Sequence, residues 1–167
     1  RRDYPYYSEA CDRVRFTLTK NPDIDTMAVD CNLVIEVYEP FITSVNDIEL
    51  ASVITHELLH YILGHHKRYH DNCYKDSLSH AVHNVAMDLE INQYLKNLPK
   101  GHLSIHDFGL SAGKSYEEYL RDIIAIITQD ESAKGKINKY GHNEVSLDNY
   151  SETASAALVE LVNHIIE

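Results

Sequence analysis

The stretch Asn46-Asp47-Ile48-Glu49-Leu50-Ala51-Ser52-Val53-Ile54-Thr55-His56-Glu57-Leu58-Leu59-His60-Tyr61-Ile62-Leu63-Gly64 decides the reading of this chain. Asn46 with Glu49 three residues on predicts a helix start, because the Asn side chain accepts from the orphan N–H groups of a first turn. Ala51, Ile54, Thr55, Leu58 and Ile62 then recur as an apolar stripe, so the helix is expected to run to Gly64. Lys67 and Arg68 are placed beyond its C-terminal end, where the helix dipole favours positive charge. Within it lies the HExxH pattern His56-Glu57-Leu58-Leu59-His60. Residues four apart on a helix project to one side and can share one tetrahedral ion. Glu57 sits about 100° round the axis, within reach of a water on such an ion without ligating it. On the wheel both histidines lie away from the stripe of Ala51, Ile54 and Leu58.

Two histidines and a glutamate on a solvated face would spell the same letters by chance. Against that stands the histidine count of 11, concentrated between His56 and His83. Motif, helix and density together point to a metal site on His56 and His60, with Glu57 as general base. His65, His66 and His70 read instead as surface or helix-terminal histidines. A catalytic zinc needs a third protein ligand and an open position for water. A helix expected over about 77 to 97 offers Asp88, centred in the arc of Ala81, Val85, Ile91 and Leu95, with Glu90, His83 and Gln93 on the other side. A carboxylate on an apolar face is costly unless paired, hydrogen-bonded or metal-bound. Asn84 and Asn92, a turn to either side, share that face and are candidates to orient it.

Elsewhere, Tyr7, Cys11, Val14 and Leu18 recur at helical spacing and predict a first helix over about 6 to 19. Met27, Val29 and Cys31, then Leu33, Ile35 and Val37, alternate with polar residues and predict two short strands round a turn. The strand from Leu33 to Tyr38 is the candidate to pair with a peptide substrate as an added edge strand. Tyr69 to Lys75 reads as a polar connection. Ser115 with Glu118 opens a helix carrying Tyr119, Leu120, Ile123, Ile124 and Ile127. Residues 129–147 read as a long loop, and a last helix is expected from near Ser151.

With 167 residues and 44% hydrophobic content, one domain over 1–167 is expected. Fifteen basic against 26 acidic residues give a formal charge of -11, which repels nucleic-acid phosphates and anionic lipid. No apolar run approaches the roughly 20 residues that span a bilayer. No secretory-signal pattern opens the sequence. Three cysteines without CxxC spacing suggest neither a disulfide framework nor a cysteine zinc site and fit a reducing, cytoplasmic setting.

The run from His56 to His66, His-Glu-Leu-Leu-His-Tyr-Ile-Leu-Gly-His-His, followed by Asn84-Val85-Ala86-Met87-Asp88-Leu89-Glu90-Ile91-Asn92, resembles the putative metallopeptidase domain found beside von Willebrand factor A-like domains in bacteria and alone in phages. The likeness covers about Tyr7 to Leu120. It implies an α+β, zincin-like fold, mainly helical with a small β-sheet beside the HExxH helix, and a Zn2+ site on His56, His60 and Asp88. The helix also resembles that of metzincins, whose third ligand lies six residues after the second histidine, as His66 does here; their glycine lies three after it, whereas Gly64 lies four after His60. The function expected is zinc-dependent hydrolysis of a peptide or protein substrate. The competing expectations are a catalytically idle zincin that binds a partner protein in a larger phage or bacterial complex, and a hydrolase of a non-peptide amide.

Overall fold

Val34–Tyr38 places Ile35 and Val37 on one side and Val34, Glu36 and Tyr38 on the other, the alternation that a pleated strand imposes. In the computed structural model, which describes residues 10–21, 24, 26–76 and 80–129, Ile35 and Val37 are 0% and 3% exposed. This strand, β3, is the middle one of a three-stranded sheet, flanked by β1 (Arg15–Thr19) and β2 (Met27–Val29) in the order β1-β3-β2. β2 and β3 are antiparallel, with Met27 opposite Val37, and β1 runs parallel to β3, with Arg15 opposite Val34. Both edges of β3 are therefore taken, and the expectation that the Leu33–Tyr38 strand receives an added peptide strand is overturned. Within this sheet the outer edges belong to β1 and β2.

The β2–β3 turn is built by Asp30, whose Oδ1 accepts from Asn32 N–H at 2.9 Å and Val34 N–H at 2.8 Å. Leu33 completes it at φ 61°, a left-handed backbone that costs a branched residue about 1–2 kcal/mol and is offset here by 2% exposure of its side chain. The helix expected over 6–19 is corrected: among the described residues only 10–13 are helical, and 15–19 is strand. Leu18, which gave the helical period its last member, is 67% exposed. Pairing with β3 decides this segment, and local period does not.

The described residues fall into two compact units, one reaching Arg68 and including Leu95–Lys100, the other formed by Tyr69–Tyr94 and the residues from Gly101 on. In the first, the short α1 (Glu39–Ile42) leads to α2 (Asp47–Ile62). The capping box is formed: Asn46 Oδ1 accepts from Ile48 and Glu49 N–H, and Glu49 Oε2 accepts from Asn46 N–H at 3.0 Å. The buried face of α2 is only in part the expected stripe: Leu58 is buried and Ile54 packs against the core. Val53, Glu57, Leu58 and His60 are buried, whereas Ala51 is exposed and Ile62 is 36% exposed. Leu58 and Val53 pack with Met27, Leu33, Ile35, Val37 and Phe41. Ser52 Oγ donates to the Lys96 carbonyl at 2.8 Å, tying the 95–100 segment to the same helix.

Gly64, at φ +66°, ends α2, and α3 (His65–Asp76) begins at the next residue. The polar connection expected over Tyr69 to Lys75 is thus a helix, as are Lys67 and Arg68. In the second unit α4 (His80–Asn92) packs on α5 (Tyr116–Gln129) through Val82, Val85, Met87, Leu89, Tyr119 and Ile123. Glu118 Oε2 accepts from Ser115 N–H at 2.9 Å, so the second predicted helix start holds. Gln93 bridges the ends of both helices: its amide donates to the Lys114 carbonyl, and its oxygen accepts from Gly113 N–H. No described helix is long and apolar enough to cross a membrane. The loop expected over 129–147 and the last helix lie outside the described residues.

Candidate metal centre

The three turns from Asn46 to Leu58 bring His56 to the half-buried and His60 to the buried side of α2. Their Nε2 atoms lie 2.9 Å apart, with ring centroids 4.7 Å apart and the planes at 65°. Two nitrogens bound to one tetrahedral zinc at roughly 2.0–2.1 Å lie about 3.3 Å apart. The pair therefore fits a common ion with a small outward adjustment, as their spacing on the helix leads one to expect.

Glu57 is 7% exposed, and its Oε2 accepts from Val29 N–H at 3.0 Å. Asp30 and Tyr38 N–H groups bond across to Val34 and Thr26 carbonyls, so the odd-numbered N–H groups of β2 face away from β3. Glu57 thus occupies an outward amide of the β2 edge. The contact ties one carboxylate oxygen of Glu57 to the β2 edge.

The next feature escaped the sequence reading. His65, expected to be a surface or helix-terminal histidine, is helix-terminal and 1% exposed, and its Nδ1 meets His60 Nδ1 at 2.9 Å. The rings are in edge contact at 4.9 Å and 74°. Continued helical geometry would carry residue 65 round the axis away from residue 60, but Gly64 breaks that geometry. A glycine directly after an apolar helical run is the signal that could have revealed it, because a left-handed residue there folds the following side chain back on the last turn. His66 lies close enough to Asp30 to help lower its pKa, although the Val34 N–H is the larger cause. His70 is exposed, as expected.

Asp88 sits on α4, half-buried, with its Oδ1 fully buried. His56, His60 and Asp88 are the described side chains whose chemistry makes a candidate metal-ligand set, each offering one ligand atom. Of the two asparagines expected to orient Asp88, Asn84 is exposed and Asn92 donates its amide to the Leu103 carbonyl at 2.8 Å. His83, placed on the side of this helix away from Asp88, is 0% exposed and meets the Tyr116 hydroxyl through Nδ1.

The sequence pattern of the family described as "Putative metallopeptidase domain" matches residues 3–159. The chain belongs to this metallopeptidase family. The match runs well past Leu120, so the polar section after α5, left out of the motif resemblance, is part of the family's extent. No curated protein and no solved structure matches the chain. The family's description suggests a metal cofactor, and His56 and His60 are two described imidazoles whose Nε2 atoms converge.

Proposed function

We propose that this domain is a zincin-like, zinc-dependent peptidase, with His56, His60 and Asp88 as metal ligands and Glu57 as general base. The observation that carries the reading is the convergence of the His56 and His60 Nε2 atoms at 2.9 Å beside a buried carboxylate. Two neutral imidazoles and one carboxylate are a donor set that suits Zn2+ and leaves a fourth position open. When bound, zinc supplies Lewis acidity, making water acidic near neutral pH and polarising the scissile carbonyl.

The remaining work belongs to the chain. His56 and His60 present lone pairs from adjacent turns of one rigid helix, so little orientation is lost on binding. Glu57 takes the proton released by the attacking water and returns it to the leaving amine nitrogen. Val29 N–H, donating to Oε2, steadies the carboxylate.

Cleavage of a mixed peptide library by zinc-loaded protein, beside Glu57→Gln, tests this. The variant is expected to keep zinc and fold and to lose hydrolysis, since the amide cannot take the proton. Absence of cleavage by the zinc-loaded wild type would support an idle binding domain instead, and loss of zinc from the variant would make Glu57 a ligand or a structural partner.

A further inference from the structure

We propose that His65 is a positioning residue for the metal centre: it accepts a hydrogen bond from His60 Nδ1–H and thereby holds His60 in the tautomer whose Nε2 lone pair faces His56. The inference rests on the metal-centre reading above and goes beyond it, because neither the motif nor the family match gives His65 a role.

Both ring nitrogens of His60 are engaged, Nε2 toward His56 Nε2 at 2.9 Å and Nδ1 toward His65 Nδ1 at 2.9 Å. A metal takes a lone pair from Nε2, so the proton of neutral His60 must be on Nδ1. The atom facing that proton is His65 Nδ1, which must then offer its own lone pair and carry its proton on Nε2. The opposite arrangement, with His65 donating, puts the His60 proton on Nε2 and disables it as a ligand. Metal-bound histidines ordinarily donate their second N–H to a carboxylate, a carbonyl or water. Here the acceptor is another imidazole, 1% exposed.

The helix ending explains how the two rings meet. With Leu63 as the C-cap and Gly64 in the left-handed conformation after it, His60 is the third residue from the helix end and His65 the second beyond the cap. Side chains at these two positions touch in this type of ending, usually as an apolar pair. The Gly64 N–H donates to the Tyr61 carbonyl at 3.0 Å, one of the two bonds that define it. An apolar pair would close the helix equally well. Two buried imidazoles incur a desolvation cost that their mutual hydrogen bond offsets, and what the imidazoles add is a fixed proton on His60.

A shape-matched pair of variants tests the proposal. Asn places an acceptor where His65 Nδ1 lies, and Leu has nearly the same shape without one. Zinc affinity, read by chelator competition, should fall roughly 10–100-fold in His65→Leu and stay within about threefold of wild type in His65→Asn. The visible spectrum of the Co2+-substituted protein should be altered in the Leu variant and retained in the Asn variant. Equal affinity in the Leu variant and wild type, or equal losses in both variants, would overturn the proposal. His56→Ala separates the two layers: zinc unaffected by that change sinks the metal-centre reading, whereas zinc lost there but kept at wild-type affinity in His65→Leu sinks only the role of His65. Should the Leu variant fail to fold, nitrogen-15 spectra of the wild type decide the matter. They should show His60 protonated at Nδ1 and His65 at Nε2, and the reverse assignment would overturn the proposal.

Discussion

His65 in one unit and His83 in the other are 1% and 0% exposed, and each meets its partner through Nδ1, but the partners differ in kind. His83 meets the hydroxyl of Tyr116, itself 0% exposed, with the Tyr69 ring edge-on at 4.9 Å, and Tyr116 belongs to the buried cluster that includes Val82, Leu89 and Ile123. That pair lies inside a core. His65 meets a second imidazole whose far nitrogen faces a third. Burial obliges both histidines to find a hydrogen bond, so burial by itself does not mark a functional histidine. What distinguishes His65 is that its partner, His60, is one of the two imidazoles whose Nε2 atoms converge.

Substitutions in each unit test whether the two buried histidines differ in kind. The largest effect is expected at Asp88, whose neutral variant Asp88→Asn should lower zinc affinity by more than the roughly 10–100-fold that loss of an outer partner costs. Glu90→Gln, on the same helix, should change it little. Zinc held at 2.1 Å by His66 in a solved structure, with Asp88 distant, would move the assignment toward the metzincin arrangement.

In the second unit, His83→Phe keeps a ring in the core but deprives the Tyr116 hydroxyl of a partner, which should destabilise by about 1–3 kcal/mol in denaturant unfolding. Zinc content should be unchanged. A fall in zinc occupancy at unchanged fold would mean that the two buried histidines are not different in kind.

Gly64→Ala tests the turn that delivers His65. A Cβ there would meet nothing within 4 Å, so the cost is that of φ +66° alone, about 1–2 kcal/mol. Unfolding of the zinc-free protein measures it. A neutral effect would show that His65 does not depend on the left-handed residue before it.

The smallest effect concerns one carboxylate in each unit. Val34 N–H holds Asp30 below its ordinary pKa, and Ser115 N–H does the same for Glu118. Since folding lowers both, the unfolded chain takes up these protons first. Their contribution is present above the ordinary carboxylate range and is lost as pH falls through the lowered folded values. Asp30→Asn and Glu118→Gln should each flatten the acid limb of the unfolding midpoint against pH, slightly, because both groups are exposed.

How much of this was legible in the sequence follows from where its signals are strong. α2 was readable because an N-cap box, a periodic run and a terminal glycine all agree on it. β1 was misread because every one of its residues but Thr19 is exposed, so it carries no buried alternation to outweigh a chance helical period. α3 was missed because His65–Asp76 is polar around its circumference and offers no stripe. The buried face of α2 was misplaced in part for a related reason: hydrophobicity ranks Ala51 and Ile62 above Glu57 and His60, whereas in the structure Glu57 and His60 are buried and Ala51 is exposed. That β3 is central could not be read from its residues, since strand order depends on pairing between segments far apart in sequence. The motif pointed to His56, Glu57 and His60; the contact of His65 with His60 depends on the left-handed Gly64, which the motif does not encode.

The most direct test of the account is the zinc content of purified protein beside the double variant His56→Ala with His60→Ala, both shown to be folded. The account predicts close to one equivalent per chain in the wild type and a sharp fall in the variant; equal content in the two would contradict it.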